Sequence, residues 1–189
     1  MTRDAVKTLF HPFATDLIPA PAEGQRVLFL GAEGGYQLPE SFKAEILAVQ
    51  SFRPLFLGLE RRGVRVQPFS EGDDYDTVLI LMSRHRGANE NHIADALRRS
   101  RPGAWIVVAG AKEDGVQSLR KRVAALGLET EHLAKYHAQA FWFRRPPKAE
   151  NAIVVLEQPQ SMVQDRFVTA PGMFSHGEAD AGSVFLARY

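Results

Sequence analysis

The chain contains no cysteine, so disulfide bonds, thiolate metal sites and cysteine nucleophiles are all excluded. It has no apolar run near the roughly 20 residues that a membrane-spanning helix needs. The stretch from Met1 to Thr8 also lacks the apolar core of a secretory signal peptide. These absences lead us to expect a cytoplasmic protein without a membrane partner.

A strong overall charge is also missing, because 23 basic and 22 acidic residues leave a net charge of +1. The distribution is uneven, since residues 96–148 hold 11 Lys and Arg against 4 Asp and Glu. Such asymmetry is typical of a face that binds a polyanion. Helices that merely expose charge to solvent would produce it equally well, so both interpretations stay open.

What the chain does have is an alternation of apolar strands and amphipathic helices from residue 27 onward. We predict strands at Val27–Leu30, Ala44–Gln50, Val64–Phe69, Thr77–Met82, Ala104–Ala109, Ala140–Phe143 and Ala152–Leu156. We predict helices that begin at the capping residues Ser51, Asn89 or Asn91, and Asp114. This order predicts an α/β fold, with a mostly parallel sheet, helices on both faces and closing antiparallel strands.

The first predicted strand runs directly into Gly31, Gly34 and Gly35, which is the pattern of a nucleotide-binding turn. Small residues in such a turn let the backbone approach the ligand, and a nearby carboxylate binds the ligand's hydroxyl or amine groups. Here Phe29 stands where that acid is expected, and the bulky Glu33 stands where a glycine is needed. The chain therefore keeps the scaffold, but we expect this degenerate turn to bind no cofactor.

Four segments carry a resemblance to a known family: Val27–Gly31, Tyr75–Ile80, Gly115–Arg120 and Ala170–Ser175. In them the chain resembles the N-terminal half of RsmC-type ribosomal RNA guanine-N2-methyltransferases. The resemblance implies a Rossmann-like class I methyltransferase fold. It also implies a C-terminal half with S-adenosylmethionine and an Asn-Pro-Pro-Phe/Tyr motif that positions the guanine amine. The N-terminal half would then be a degenerate copy that serves stability and RNA recognition.

The residues agree with that division. Asn-Pro-Pro occurs nowhere in the chain, and Met82–Arg86 follows the strand after which the motif would stand. A guanine amine needs hydrogen-bond acceptors, whereas an Arg-His-Arg loop supplies mostly donors and positive charge. Gln50 ends the second predicted strand where a carboxylate would bind ribose hydroxyls. We therefore expect no catalytic residue here, and we expect S-adenosylmethionine to bind the absent C-terminal half.

The expected organisation is a degenerate methyltransferase-like domain at residues 1–160, then a linker and the start of a missing C-terminal catalytic domain at 161–189. The expected function is that of a non-catalytic domain which supports the catalytic half and helps recognise RNA. Its partners would be ribosomal RNA or the small ribosomal subunit, and a C-terminal methyltransferase domain of the same polypeptide. Two alternatives stay open: a stand-alone Rossmann-like protein-interaction module, and a small nucleotide-binding enzyme that uses Gly31–Gly35.

Basic residues in two loops and one helix are candidates for RNA binding. They are Arg84, His85, Arg86, Lys112, Arg120 and Lys121. The carboxyl ends of parallel strands border one crevice, so the loops at 83–86 and 110–112 should face one another there. Arginine and lysine would contact phosphates and His85 would stack on a base, although a solvated loop is the simpler interpretation. We expect no metal site, because the histidines lack ligand spacing.

Overall fold

A computed structural model describes residues 4–163, 167–172 and 180–186 of the chain. Seven strands form one sheet: β1 Arg26–Leu30, β2 Glu45–Val49, β3 Val66–Gln67, β4 Tyr75–Leu81, β5 Ser100–Ala111, β6 Glu131–Lys135 and β7 Ala138–Arg144. A separate hairpin consists of β8 Ser161–Val163 and β9 Phe167–Thr169. The helices are α1 Asp4–Ala14, α2 Arg53–Glu60, α3 Arg86–Arg99, α4 Val116–Ala125, α5 Glu150–Leu156 and α6 Ala181–Leu186. None of these described helices is long and apolar enough to cross a membrane.

The large sheet has the strand order β3-β2-β1-β4-β5-β7-β6. The first five strands in this order are parallel, and β7 runs antiparallel to both β5 and β6. The predicted mostly parallel sheet with closing antiparallel strands is therefore confirmed. Because the chain leaves β1 towards β2 on one side and later returns to β4 on the other, the topological switch point lies between β1 and β4.

Alternating side chains of the strands feed two separate cores, one on each face of the sheet. Val27 and Phe29 of β1 join the core under α1 and α2, whereas Leu28 and Leu30 join the core under α3, α4 and α5. All four are buried. Each apolar side chain of this size stabilises the fold by about 1.5–3 kcal/mol when it leaves water. The prediction of helices on both faces is confirmed.

Helix α1 is an element that the sequence analysis did not predict. Its buried residues Val6, Leu9, Phe10 and Phe13 have the three- and four-residue spacing of an amphipathic helix. They close the core on one face against β4, β5 and β7. Pro12 lies inside this helix and masks the pattern, because proline normally argues against a helix interior.

Two connections between strands contain no helix, and the sequence predicts no helix start in either of them. Residues 31–44, all of them described, join β1 to β2 without a helix, and residues 68–74 join β3 to β4 without one. The first connection is where a nucleotide-binding fold places the helix that follows its glycine turn. The glycine-rich segment is therefore present, but the helix N-terminus that would complete an anion site is missing.

The prediction of a strand at residues 152–156 is wrong, because this segment forms α5. Ala152 and Leu156 are buried four residues apart and pack against α3, while Val154 is exposed. A short apolar run is compatible with either a strand or a helix, and only packing decides between them. The second closing strand is instead β6, a mostly exposed edge strand.

Three predicted helix starts are also wrong. The N-cap of α2 is Phe52, which makes no side-chain capping bond, rather than Ser51. Helix α3 begins at Arg86, because the Asn89 amide bonds the Ser83 backbone instead of capping a helix. Asp114 ends a short 3-10 helix, Lys112–Asp114, and accepts a hydrogen bond from the Ala111 N–H at 2.9 Å. The side chains of Asn89 and Asp114 therefore form hydrogen bonds within loops and do not cap the predicted helices.

The tail is described in part. Pro171 and Gly172 form the predicted turn, and Gly172 has a φ of 98°. The rest of the linker-like segment, residues 173–175, lies outside the described residues. The division at residue 160 stays a prediction.

Gly31→Ala tests the close approach of β1 and β4. Gly31 has a φ of 67°, and a Cβ there would lie 2.6 Å from the Leu81 carbonyl oxygen. Gly127 has a φ of 82°, but a Cβ there would meet nothing within 4 Å. We expect Gly127→Ala to lower the free energy of unfolding in urea by about 1–2 kcal/mol, from backbone strain alone. Gly31→Ala should cost about 3 kcal/mol or more, and equal losses would contradict this packing.

Candidate functional site

The crevice between β1 and β4 is the place where this fold would bind a ligand. The turn after β1 packs tightly against the end of β4 here, since Gly31 approaches the Leu81 carbonyl. The His92 ring of α3 lies behind this turn, with its Cε1 atom 3.5 Å from the position of a Gly31 Cβ. Burial lowers the pKa of His92, although Asp95 opposes the shift, so the ring packs here in its neutral form.

The turn after β1 is tied to the end of β2 by hydrogen bonds within the chain. The Ala32 N–H donates to the Val49 carbonyl at 3.1 Å. The Gln50 side-chain amide donates to the Ala32 carbonyl at 2.9 Å, and its oxygen accepts from the Phe52 N–H at 2.9 Å. Gln50 is 8% exposed. Gln50, which stands where a ligand-binding acid is expected, therefore connects the loop after β1 to the loop after β2 by hydrogen bonds.

The other residues of the degenerate turn also contact the chain itself. The Phe29 ring is fully buried and makes edge-to-face contacts with Phe10 and Tyr36. The Arg62 guanidinium lies over Gly34, where a Cβ would be 3.2 Å from its nearest nitrogen. Gly35 has a φ of 90°, and this conformation favours glycine without any ligand. Each of these positions has a structural explanation within the fold.

The residues present at this turn do not fit S-adenosylmethionine. No carboxylate ends β2, the position on β1 that would carry an acid is buried Phe29, and the described chain has no helix directly after the turn. An anion or nucleotide would therefore find neither a helix N-terminus nor a hydroxyl-binding acid here. The absence of cofactor binding at this turn stays a prediction.

The structure brings the two candidate RNA-binding loops together at the same edge. Residues 83–85 after β4 and residues 111, 113 and 114 after β5 line one cavity of about 320 Å³. Arg84, His85 and Lys112 are exposed. Arg84 and Lys112 make no side-chain hydrogen bond or ion pair with other residues in the described part of the chain. Glu113 and the buried Asp114 line the same cavity, so the charge there is of both signs.

Arg86 has a different role from Arg84, because it is bound to a buried carboxylate. Its Nε lies 2.8 Å from Glu90, and this contact raises the pKa of the Arg86 guanidinium. The Glu90 side chain, only 3% exposed, also lies 3.0 Å from the Nε of Arg122 and accepts a hydrogen bond from Gln158 at 2.9 Å. A buried carboxylate requires such partners, so Arg86 is largely a structural residue.

Arg120 and Lys121 lie on α4 rather than in the two loops. Arg120 contacts the ring of His132 in the edge strand β6, with 3.2 Å between the two nitrogens. Lys121 is exposed. The structure therefore does not bring these two residues together with Arg84 and Lys112.

Four of the 11 basic residues in 96–148, Arg98, Arg99, Arg101 and Arg122, form ion pairs with described residues. Arg98 pairs with Glu157 and Arg99 pairs with Asp95, both at 2.8 Å, and Arg101 pairs with Asp76. Exposed pairs of this kind contribute only about 0–1 kcal/mol each to stability, but they neutralise local charge. The charge count of the sequence thus overstates the polyanion-binding face.

A contact that the sequence analysis missed holds the segment after α5 on the first turns of α3. The Asn91 side chain accepts a hydrogen bond from the Gln158 N–H at 2.6 Å and donates to the Gln158 carbonyl at 3.2 Å. Further along, Pro171 packs so closely that a Cβ at Gly87 would lie 2.7 Å from its side chain. Gly87 directly follows the loop of Arg84, and nothing in the sequence pattern signals this pairing.

A cavity of about 770 Å³ lies away from the crevice. It opens at the amino ends of β1, β2 and β4 and is lined by side chains of both signs, including Arg26, Lys43, Glu45 and Arg65. Ligands of open α/β sheets bind at the carboxyl ends of the strands, so this cavity is not the expected site. Among the described residues, no three His, Asp or Glu side chains are grouped as metal ligands would be.

No protein family model matches the chain. It is 23% identical over 120 residues to the ribosomal RNA small subunit methyltransferase C of Stutzerimonas stutzeri, a match that covers 61% of this chain and 36% of the relative. The same enzyme of Pseudomonas putida is 24% identical over 139 residues, which cover 71% of this chain and 40% of the relative. The sequence relatives are ribosomal RNA methyltransferases. The match spans well under half of their length, in their N-terminal part.

A solved structure supports the predicted fold. The T. thermophilus 16S rRNA methyltransferase RsmC, in complex with AdoMet and guanosine, superposes with a TM-score of 0.69 at 19% identity. The superposition covers 98% of this chain and 51% of that chain. The Rossmann-like class I methyltransferase fold is therefore confirmed.

Gln50→Ala tests whether this amide holds the closed turn. The substitution leaves the Ala32 carbonyl and the Phe52 N–H without their partner, and each unpaired buried group costs about 1–3 kcal/mol. Gln117→Ala, at an exposed glutamine of α4, should change the free energy of unfolding by no more than about 0.5 kcal/mol. Gln50→Glu should destabilise more as pH rises, because the ionised carboxylate cannot donate to Ala32. A neutral effect of Gln50→Ala would show that the amide is dispensable.

Proposed function

We propose that this chain is the non-catalytic, N-terminal domain of an S-adenosylmethionine-dependent small-subunit ribosomal RNA guanine-N2-methyltransferase. In this proposal it supports a C-terminal methyltransferase domain of the same polypeptide and helps to bind RNA. The observation that carries the proposal is the self-closed turn at Gln50, which lies at the ligand-binding position of an otherwise complete class I sheet. The N-terminal match to ribosomal RNA methyltransferases supports the same assignment.

The proposed support of a C-terminal domain rests on α5 and on the hairpin of β8 and β9. Val154 of α5 is 73% exposed, and Met162 and Val168, paired across the hairpin, are 60% and 56% exposed. Apolar side chains at this density favour contact with another domain. The two hydrogen bonds between Asn91 and Gln158 would hold these elements against α3. They would thereby set the orientation of a domain that follows.

The RNA-binding part rests on Arg84 and Lys112. Both are exposed cations at the carboxyl edge of the sheet, on loops that share one cavity wall. Pro171 packs on Gly87, so the segment that leaves the domain passes beside the Arg84 loop. RNA held by these cations would therefore lie next to the chain that leads towards the proposed catalytic domain.

Titration calorimetry of this chain with S-adenosylmethionine tests the non-catalytic assignment. We expect no saturable binding at micromolar concentrations, because the turn lacks a hydroxyl-binding acid and a helix N-terminus. A catalytic class I methyltransferase, titrated in parallel, is the positive control. Low-micromolar binding would contradict the proposal and would favour the small nucleotide-binding enzyme.

Salt-dependent RNA binding tests the role of the two cations. We expect Arg84→Ala combined with Lys112→Ala to weaken binding of a small-subunit ribosomal RNA fragment and to reduce the slope of log K against log salt by about 1.4–1.8. Arg61→Ala is the matched control, since Arg61 is also exposed but lies at the end of α2. Fluorescence anisotropy at several salt concentrations measures both quantities. Unchanged slopes in the double variant would exclude these residues from the interface.

A further inference from the structure

Two phenylalanine rings are exposed at the same edge of the sheet as the candidate RNA-binding loops. Phe52 is 61% exposed and Phe69 is 76% exposed. Phe52 follows the end of β2 and Phe69 follows the end of β3, and these neighbouring strands are parallel, with Val49 paired to Gln67. Both chains therefore leave the sheet at its carboxyl edge, in adjacent positions.

Large aromatic rings normally pack against other side chains, as Phe29 and Tyr36 of the neighbouring turn do. Phe29 has no exposed surface, and Tyr36 stacks on Phe10 with 4.9 Å between the ring centres. Phe52 and Phe69 make no ring–ring contact with other residues in the described ranges. Their apolar faces are thus available to a flat partner.

The surroundings of the two rings are charged, and they include the exposed Glu71 two residues after Phe69. Arg53 is exposed next to Phe52, and Arg84 follows β4, two strands away in the sheet order. Lys112 follows β5, so the edge from β3 to β5 spans four strand spacings, or about 19 Å. Exposed aromatic rings on the same surface as cations are characteristic of single-stranded nucleic-acid binding.

We infer that the carboxyl edge of the sheet binds single-stranded RNA, with Phe52 and Phe69 as stacking platforms for unpaired bases. Arg84 and Lys112 hold the phosphates of the same strand. The inference rests on the proposed RNA-binding function and adds to it the mode of recognition. It predicts that the chain binds single-stranded segments of ribosomal RNA in preference to fully paired helices, since paired bases present no free face.

Anisotropy titrations with a labelled single-stranded oligonucleotide, and with the same strand annealed to its complement, test the inference. We expect Phe52→Ala and Phe69→Ala each to weaken single-strand binding by at least about fivefold, while duplex binding is unchanged. The salt slope should stay the same in these variants, because no cation is removed. Phe52→Tyr and Phe69→Tyr should retain affinity, since tyrosine keeps the ring. Val154→Ala, at an apolar side chain with similar exposure on α5, should have no effect.

The outcomes separate the inference from the proposed function. Affinity within about twofold of the unsubstituted chain in the double variant, Phe52→Ala with Phe69→Ala, would overturn the stacking role. The RNA-binding proposal would survive that result if Arg84→Ala with Lys112→Ala still weakened binding. Equal losses on single strand and duplex would also overturn stacking. If the unsubstituted chain bound no RNA at all, the stacking inference and the RNA-binding proposal would both fail. Contact of the two rings with another domain would then be the better explanation of their exposure.

Discussion

The buried amide of Gln50 is the contact on which the functional interpretation depends. It joins the turn after β1 to the chain entering α2. In doing so it occupies the carbonyl of Ala32 and the N–H of Phe52. A carboxylate at this position would repel the Ala32 carbonyl and favour a ligand hydroxyl, whereas an amide can both donate and accept. One change of functional group thus favours a self-contained scaffold over a cofactor site.

In the proposed function the crevice binds no small ligand, and the carboxyl edge of the sheet is available for another purpose. Gly31 keeps β1 close to β4, so the strand ends remain in register and present their loops side by side. Arg84 and Lys112 are exposed there, while Arg86 is held by the buried Glu90. The same fold that would bind a small molecule in a pocket can therefore offer a broad surface to a polymer.

The sequence predicted the mostly parallel sheet, because apolar runs separated by turn residues are a local pattern. It failed where distant packing decides, as with residues 152–156, which become a helix because they pack on α3. The charge pattern could not separate Arg86 from Arg84, since only the fold brings Arg122 and Gln158 to Glu90. The spacing of Phe52 and Phe69 in the sequence likewise does not show that both rings are exposed at the carboxyl edge, because the strand order places them there.

The most direct test of the central claim is an amide-resolved NMR titration of the chain, first with S-adenosylmethionine and then with single-stranded ribosomal RNA. The account predicts that the cofactor leaves the amides of residues 31–35 unshifted. RNA should shift the amides of Ser83–Arg86, Lys112 and the segments around Phe52 and Phe69. Saturable shifts at residues 31–35 with the cofactor, and none at the edge loops with RNA, would contradict it.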